Sequence, residues 1–297
     1  MVVIFNYKNK GDGNMNLKET LQKHKMWLNG EEGGERANLI NANLSGVNLS
    51  GVDLSEADLN GVNLSNADLS YTNLRGANLS GADLNNANLR NADLRGADLR
   101  DANLWNVNLR NADLKYANLR GINLRNSNLK YANLSDTNLM DADLGDADLK
   151  DADLRDTDLR CADLRNADLR DAILSNADLS GLITNMYTIG YNLVCPEEGS
   201  FIGYKKASRY IVKLLILEDA KRSSATTMKC RCDKAKVLDI ENVETGEKIE
   251  EIESNFDSEF IYKVGEIVSV DNFDDDRWNE CTSGIHFFMN RENAINY

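Results

Sequence analysis

The stretch DADLGDADLKDADLRDTDLRCADL, residues 141–164, repeats a five-residue unit with leucine at every fifth position. Neither common backbone period can bury leucines at this spacing. In an α-helix, five residues turn through about 500°, so successive leucines would lie about 140° apart around the cylinder. In a flat strand, an odd spacing places successive leucines on opposite faces. The spacing therefore indicates a different backbone path.

The five-residue unit continues far on both sides of this stretch. Leucine recurs without a miss from Leu39 to Leu179, which makes 29 tandem repeats. Two residues before each leucine stands a small or β-branched residue, which is alanine in 20 of the repeats. The residue immediately before each leucine is Asn or Asp, with Ile173 as the exception. An array this regular predicts a solenoid, in which each repeat contacts only its neighbours.

A chain that turns through about a right angle every five residues buries all of these leucines together. Each side of such a square coil points one leucine and one small residue inward, and four sides close a coil of about 20 residues. Successive coils then stack about 4.8 Å apart and pair like the strands of a parallel sheet. The repeats predict a little over seven coils, which gives a rod of roughly 35 Å. The repeats contain no proline, because their N–H groups are needed for this pairing.

The A(D/N)LXX pattern also identifies a family. The stretch ANLSGADLNNANLRNADLRGADL, residues 77–99, closely resembles the pentapeptide-repeat family, and the resemblance covers residues 37–181, about half of the chain. The resemblance implies a right-handed quadrilateral parallel β-helix. The five-residue period predicts the same square coil independently.

The fold predicted for the whole chain is a β protein in three parts. Residues 1–35 form an N-terminal segment with a capping helix, residues 36–184 the β-helix, and residues 190–297 a small α+β domain. The last part has strand-like runs rich in β-branched and aromatic residues. Its end, WNECTSGIHFFMNRENAINY at residues 278–297, is similar to the tail of an uncharacterised module found behind pentapeptide repeats in bacterial and phage-like proteins. That resemblance implies no activity.

The N-terminal segment has the features of a lid over the first coil. Open coil ends expose unpaired strand edges, which proteins usually cover. Asn16 can cap a helix, with Glu19 three residues later in the spacing of a capping box. We expect His24 at the surface of this helix. Residues 1–14 are either an extra strand or an extension upstream of the native start.

Composition limits where the chain works and what it binds. Nothing near the start resembles a signal peptide, and no stretch approaches the roughly 20 apolar residues of a membrane span. We therefore expect a cytoplasmic protein without a membrane partner, whose five cysteines are reduced. The net charge of -14 argues against direct nucleic-acid binding and permits a basic partner.

No constellation of residues indicates catalysis or a cofactor. Cys230, Cys232, Cys281 and His286 could supply four zinc ligands, but their spacing is poor for zinc hooks, so we expect buried thiols and no metal. Cys281 and His286 lack a third residue that would orient a catalytic pair. The acidic stretch DNFDDDRW, residues 271–278, lacks the glycine and closing glutamate of an EF-hand loop. We therefore predict a protein that is not an enzyme.

The solenoid favours a scaffold or spacer that binds a protein partner. The candidate contact residues are aromatic side chains on the rod, namely Tyr71, Trp105, Tyr116 and Tyr131. Tyr71 and Tyr131 share a column, since their positions differ by three coils of 20 residues. The sequence leaves open whether the chain is a monomer or a dimer.

The alternative function is a DNA mimic that binds a type II topoisomerase such as gyrase, as the family resemblance implies. A rod of this length would need about 20 negative charges to match duplex DNA. Residues 36–180 hold 22 acidic and 15 basic residues, a net charge of -7. One column is a basic ladder, which we expect to neutralise neighbouring aspartates. Its rungs are Arg90, Arg110, Lys130, Lys150 and Arg170. A further alternative is a metal-binding C-terminal module.

Overall fold

The structure is a computed structural model, which describes residues 16–191, 195–196, 198–224, 226–257, 259–277 and 282–297. The chain divides into two compact units, of which the first ends at Ile189 and the second begins at Gly190. Within the described ranges, no helix has the length and apolar character needed to cross a bilayer.

The first unit is a β-helix of square coils. Each Asn or Asp of the repeat pairs in parallel with the residue 20 positions further on, beginning with Asn38 and Asp58. Backbone bonds join the coils in both directions: Leu39 N–H donates to Asp58 O at 2.7 Å, and Asp58 N–H donates to Ala37 O at 2.9 Å. The solenoid predicted from the five-residue period is confirmed.

The interior of the coils is a column of leucine. Every leucine from Leu39 to Leu174 is at most 1% exposed. Burying one such side chain contributes about 1.5–3 kcal/mol, so this column dominates the stability of the unit. Where a hydroxyl replaces the small residue, it remains hydrogen-bonded. Thr72 Oγ1, for example, donates to Leu49 O at 3.1 Å, and Ser127 Oγ donates to Leu104 O at 2.8 Å.

The corners explain the Asn or Asp before each leucine. Its side-chain oxygen accepts the N–H two residues later, as Asn88 Oδ1 does from Arg90 at 3.3 Å. The residue after that takes a positive φ, which is +57° at Asn91. Gly, Asn and Asp adopt this conformation at the least cost, and most corners use them. Asx turns therefore set the corner every five residues.

The coil pairing continues past residue 184, where the leucine pattern ends. Ile183 still pairs with Asp163 in the regular register. Ile189 then pairs with Asp168, one residue later than the period requires. The extra residue is accommodated in a turn at Asn185, whose Oδ1 accepts from Tyr187 N–H at 3.0 Å.

One helix, α1 (Leu17–Leu28), precedes the first coil. Asn16 caps it by accepting from Glu19 N–H at 3.3 Å. His24 is completely buried, so the surface position expected for it is wrong. The reason lies in the first coil: Ala37 N–H has no preceding repeat to bond, and it donates to His24 Nδ1 at 3.1 Å.

The second unit is built on an antiparallel sheet of seven strands. Its strands and those of a two-stranded sheet are β1 (Phe201–Ala207), β2 (Tyr210–Ile216), β3 (Arg222–Ser224), β4 (Lys229–Cys232), β5 (Lys234–Asn242), β6 (Glu251–Glu253), β7 (Ile261–Lys263), β8 (Ile267–Ser269) and β9 (Ile285–Phe288). The large sheet has the order β3-β4-β9-β1-β2-β5-β8, and β6 pairs with β7. A helix, α2 (Arg291–Asn296), packs Ala294 against Ile211 and Phe288 on one face of the sheet. The larger apolar core lies on the other face.

Candidate functional site

The arginines of the rod occur in two sequence contexts, Asp-Leu-Arg and Asn-Leu-Arg. In all six Asp-Leu-Arg units the carboxylate bonds the guanidinium two residues later. Arg100 lies 2.6 Å from Asp98, for example, and its hydrogen bond holds the pKa of that aspartate below the usual value. The six pairs are Asp93–Arg95, Asp98–Arg100, Asp153–Arg155, Asp158–Arg160, Asp163–Arg165 and Asp168–Arg170. These arginines are neutralised within their own repeat.

The five Asn-Leu-Arg units lack that carboxylate. Arg120 and Arg125 compensate by reaching aspartates of the next coil, Asp141 at 3.6 Å and Asp146 at 2.5 Å. In the part of the chain that the structure describes, the other three arginines have no ion pair. They are Arg75, Arg90 and Arg110.

Two of these unpaired arginines lie on one side of the rod, which we call the amide face. It consists of residues 85–91, 105–111 and 125–131, which stack in three successive coils. These ranges contain nine asparagines, four basic residues and no carboxylate. In a chain with a net charge of -14, this face is therefore a basic and amide-rich exception.

Hydrogen bonds between coils hold the asparagines of the amide face in ladders. Asn106 Nδ2 donates to Asn86 Oδ1 at 2.7 Å. Asn111 Nδ2 donates to Asn91 Oδ1 at 3.1 Å, which places these two residues in one column. The ladders fix the side chains, so that little conformational entropy remains to be lost when a partner binds.

Two of the four predicted contact residues, Trp105 and Tyr131, belong to the amide face. Their side chains are 40% and 45% exposed. Two cations lie near the ring of Tyr131, Arg110 at 5.3 Å and Lys130 at 5.0 Å from its centroid. Lys130 also approaches Asp151 at 4.0 Å, at the acidic border of the face.

The other two predicted contact residues lie beside the face. Tyr71 occupies the column of Tyr131, one coil before Asn91, and is 63% exposed. Tyr116 lies on the next corner of the rod, where Lys115 Nζ is 4.8 Å from its ring centroid. The structure therefore places Trp105, Tyr131 and Tyr71 along one side of the rod and separates Tyr116 from them.

The basic ladder does not neutralise aspartates along its whole length. Lys150 and Arg170 bond Asp168, at 3.1 Å and 2.7 Å. For Arg90 and Arg110 the expectation is wrong, because the residues before their leucines are asparagines. The sequence contains this signal, since Asn-Leu-Arg and Asp-Leu-Arg can be distinguished by inspection.

The proposed zinc ligands are divided by the sheet. Cys230 pairs with Phe287 and Cys232 with Ile285, which places both buried thiols on the core face. His286 pairs with Arg231 and therefore points to the opposite face. The fourth candidate, Cys281, lies outside the described residues. Among the residues that are described, no three His, Cys, Asp or Glu side chains could hold a metal ion together.

The acidic stretch after β8 is organised by a cation of the protein itself. The buried guanidinium of Arg231 donates to Asp274 O at 3.1 Å and to Asp276 O at 2.7 Å. The carboxylate of Asp275 pairs with Lys221 at 3.2 Å. Cations of the protein thus bond two backbone carbonyls and one carboxylate of this stretch.

A cavity of about 700 Å³ lies within the second unit. It adjoins the point where β1 and β9 diverge, since Tyr204 and Phe288 form the one register pair between these strands in the described ranges. Lysines and aromatic rings line it, including Lys205, Lys229 and Phe256. Nothing in the sequence pattern predicts this cavity, because it depends on how two distant strands separate.

Comparison with known proteins agrees with this architecture. The family model described as pentapeptide repeats matches residues 35–70, 67–106, 108–146 and 147–181, in eight copies, and a family of unknown function, DUF5758, matches residues 191–294.

HetL, a pentapeptide repeat protein involved in heterocyst differentiation regulation in the cyanobacterium Nostoc sp. strain PCC 7120, is 30% identical over 58% of this chain and 98% of its own, with a TM-score of 0.25. Another Nostoc pentapeptide repeat protein, alr5209, is 34% identical over 45% of this chain and 84% of its own, with a TM-score of 0.17. QnrB1, a plasmid-mediated fluoroquinolone resistance protein, is 20% identical over 52% of this chain and 87% of its own, with a TM-score of 0.30.

No curated protein matches the chain significantly. The repeat matches cover the coils described above, and the match to the family of unknown function covers most of the second unit. Pentapeptide-repeat proteins are structural or interaction proteins and not enzymes. The chain belongs to the pentapeptide-repeat family and carries a DUF5758 module behind its repeats.

Proposed function

We propose that the chain is an interaction scaffold whose rod binds an acidic protein surface through the amide face. The observation that carries this proposal is the pairing of the arginines. Every Asp-Leu-Arg arginine is neutralised in its own repeat, whereas Arg90 and Arg110 have no ion pair in the described chain. Both are exposed. Each of these two guanidiniums can donate two parallel hydrogen bonds to a carboxylate of a partner.

The chemistry around the two arginines suits a protein partner. The asparagine ladders present amide groups that donate and accept hydrogen bonds at the coil spacing. Trp105 and Tyr131 add aromatic surface, and aromatic residues and arginine carry much of the binding energy in protein interfaces. Together they provide charged, polar and apolar contacts on one rigid side of the rod.

Backbone strain at the tyrosines supports the same proposal. Tyr71, Tyr116 and Tyr131 have φ angles of +59°, +63° and +61°, at corners where most repeats use Gly, Asn or Asp. A bulky residue in this region costs about 1 kcal/mol or more. Residues that keep such a cost are concentrated at functional sites. Tyr131 is the one of the three that lies within the amide face, and a binding role there would account for its strained conformation.

The segments before and after the repeats in the sequence have separate roles in this proposal. α1 covers the edge of the first coil, supported by the bond from Ala37 N–H to His24 and by the burial of Leu17. Residues 190–297 form a recognition domain of their own, supported by their compact core and their cavity. The rod, which lies between these segments in the sequence, then works as a rigid spacer with one binding side.

The experiment is a comparison of two unpaired arginines. Arg110→Glu reverses a charge on the amide face, and Arg75→Glu reverses a similarly exposed, unpaired charge outside it. The full chain and both variants are used to capture proteins from a nuclease-treated lysate of the source cell. A carbodiimide couples amines to carboxylates within reach, and mass spectrometry of the linked peptides identifies those that join Lys130 to another protein. We expect an acidic protein, linked to Lys130, that is lost with Arg110→Glu alone. Equal loss with both variants contradicts the proposal.

A second candidate is a DNA mimic acting on a type II topoisomerase. It rests on the net charge of -7 in residues 36–180. Of the 22 carboxylates in this range, 13 lie in residues 136–180. Eleven of these 13 form an ion pair with an arginine or lysine of the rod, which weakens this candidate. A supercoiling assay with excess protein tests this candidate, and unchanged supercoiling removes it.

A further inference from the structure

The cavity of the second unit contains more positive than negative charge. Lys205, Lys206 and Lys229 line it, and Asp257 is the one carboxylate side chain among the described lining residues. His286 also lines it and is neutral near pH 7, because burial lowers its pKa to about 4. The cavity is therefore cationic in a chain that is acidic as a whole.

The three lysines differ in their partners. Lys206 Nζ donates to Ile295 O at 2.8 Å, and Lys229 Nζ donates to Tyr297 Oη at 3.3 Å. The side-chain amine of Lys205 has neither a hydrogen bond nor an ion pair within the ranges that the structure describes. It alternates along β1 with Gly203 and Ala207, whose neighbours belong to the apolar core. Lys205 is half-buried, and removing an ammonium from water without a counter-charge is costly. Burial and the nearby Lys229 lower the pKa of Lys205 to about 8.

Aromatic rings surround the two amines. Lys205 Nζ lies 5.9 Å from the ring centroid of Phe256 and 6.0 Å from that of Tyr262. Lys229 Nζ lies 5.3 Å from the ring centroid of Tyr297. Phe256 is 86% exposed although it borders the cavity, so its ring offers a free face at the opening. Such exposed aromatic surface beside unneutralised amines is typical of a binding site.

We propose that this cavity binds a small aromatic anion, a molecule of one or two fused rings that carries a carboxylate, sulfonate or phosphate group. The anionic group bonds Lys205, and the rings pack against Phe256. A volume of about 700 Å³ is in the range of small-molecule sites. The site is separate from the amide face, so neither proposal depends on the other.

The test uses the full chain and two probes of nearly equal shape. The aromatic sulfonate 1-anilinonaphthalene-8-sulfonate carries the charge, and N-phenyl-1-naphthylamine lacks it. Lys205→Met removes the amine, Lys205→Arg keeps a positive charge, and Lys236→Met removes a lysine of β5 outside the cavity. Fluorescence titration gives the dissociation constants, and circular dichroism verifies that each variant is folded.

We expect Lys205→Met to bind the sulfonate at least about tenfold more weakly, since one charge-assisted hydrogen bond is lost. Lys205→Arg and Lys236→Met should stay within about twofold of the natural chain, and the neutral probe should not distinguish the variants. Equal binding of the sulfonate by Lys205→Met and the natural chain overturns the proposal. Displacement of the sulfonate by inorganic phosphate at equal concentration overturns its aromatic part.

Discussion

The guanidinium of Arg110 lies over the ring of Tyr131, 5.3 Å from its centroid, although the two residues belong to successive coils. Arg110 takes this position because Asn108, and not an aspartate, precedes its leucine. In the Asp-Leu-Arg units the carboxylate holds the guanidinium within its own repeat. The difference between Asn and Asp at this position thus decides whether an arginine is neutralised within its own repeat.

Tyr131→Asn should leave the rod at least as stable as before. The substitution removes the strain of a bulky residue at positive φ, which stabilises the rod by about 1 kcal/mol. It also removes cation–π contacts, which costs a similar free energy. The reciprocal change Asn91→Tyr, in the same column, should lower the free energy of unfolding by about 1 kcal/mol. Denaturant titration measures both. A clear loss of stability in Tyr131→Asn would show that the tyrosine is structural.

Leu104→Ala should be severely destabilising. Leu104 is fully buried in the middle of the leucine column, and removal of such a side chain costs about 2–5 kcal/mol. Leu179→Ala is the control, because Leu179 is only partly buried in the last regular repeat and should cost less than half as much. Thermal unfolding followed by circular dichroism compares the two. Similar losses at both positions would contradict the account of the core.

Acid should weaken the contact between α1 and the first coil. Burial lowers the pKa of His24, although Asp53 opposes this effect and Arg36 adds to it. Because the folded state disfavours the proton, the stability from neutral His24 is complete above the unfolded pKa near 6.5 and is lost as pH falls below it. The Ala37 amide donates its N–H to His24. Its protection against hydrogen exchange, corrected for the intrinsic exchange rate, should therefore decrease below pH 6.5.

The matched variant for this prediction is His24→Gln, which cannot take up a proton near this pH. Its Ala37 amide should have lower protection at pH 7.5, and that protection should not change between pH 7.5 and pH 5. A pH-dependent loss of equal size in His24→Gln would assign the effect to another group.

The sequence was sufficient for the solenoid and insufficient for parts of its surface. The five-residue period leaves the leucines one common interior, so coil length and register follow from geometry. The burial of His24 could not be predicted, since it depends on a backbone donor exposed only at the first coil. The cavity beside Lys205 also could not be predicted, because it requires the divergence of β1 from β9, which are distant in sequence.

The central claim is that unpaired arginines on the amide face bind an acidic protein, and the variant Asn88→Asp/Asn108→Asp tests it most directly. These changes keep Arg90 and Arg110 but give each the carboxylate that neutralises arginine elsewhere in the rod. The control is Asn118→Asp, where Arg120 already has Asp141. Captured proteins are quantified by mass spectrometry for the natural chain and both variants. We predict an acidic protein that the natural chain and Asn118→Asp retain and the double variant loses; the same proteins retained in equal amounts by all three would contradict the account.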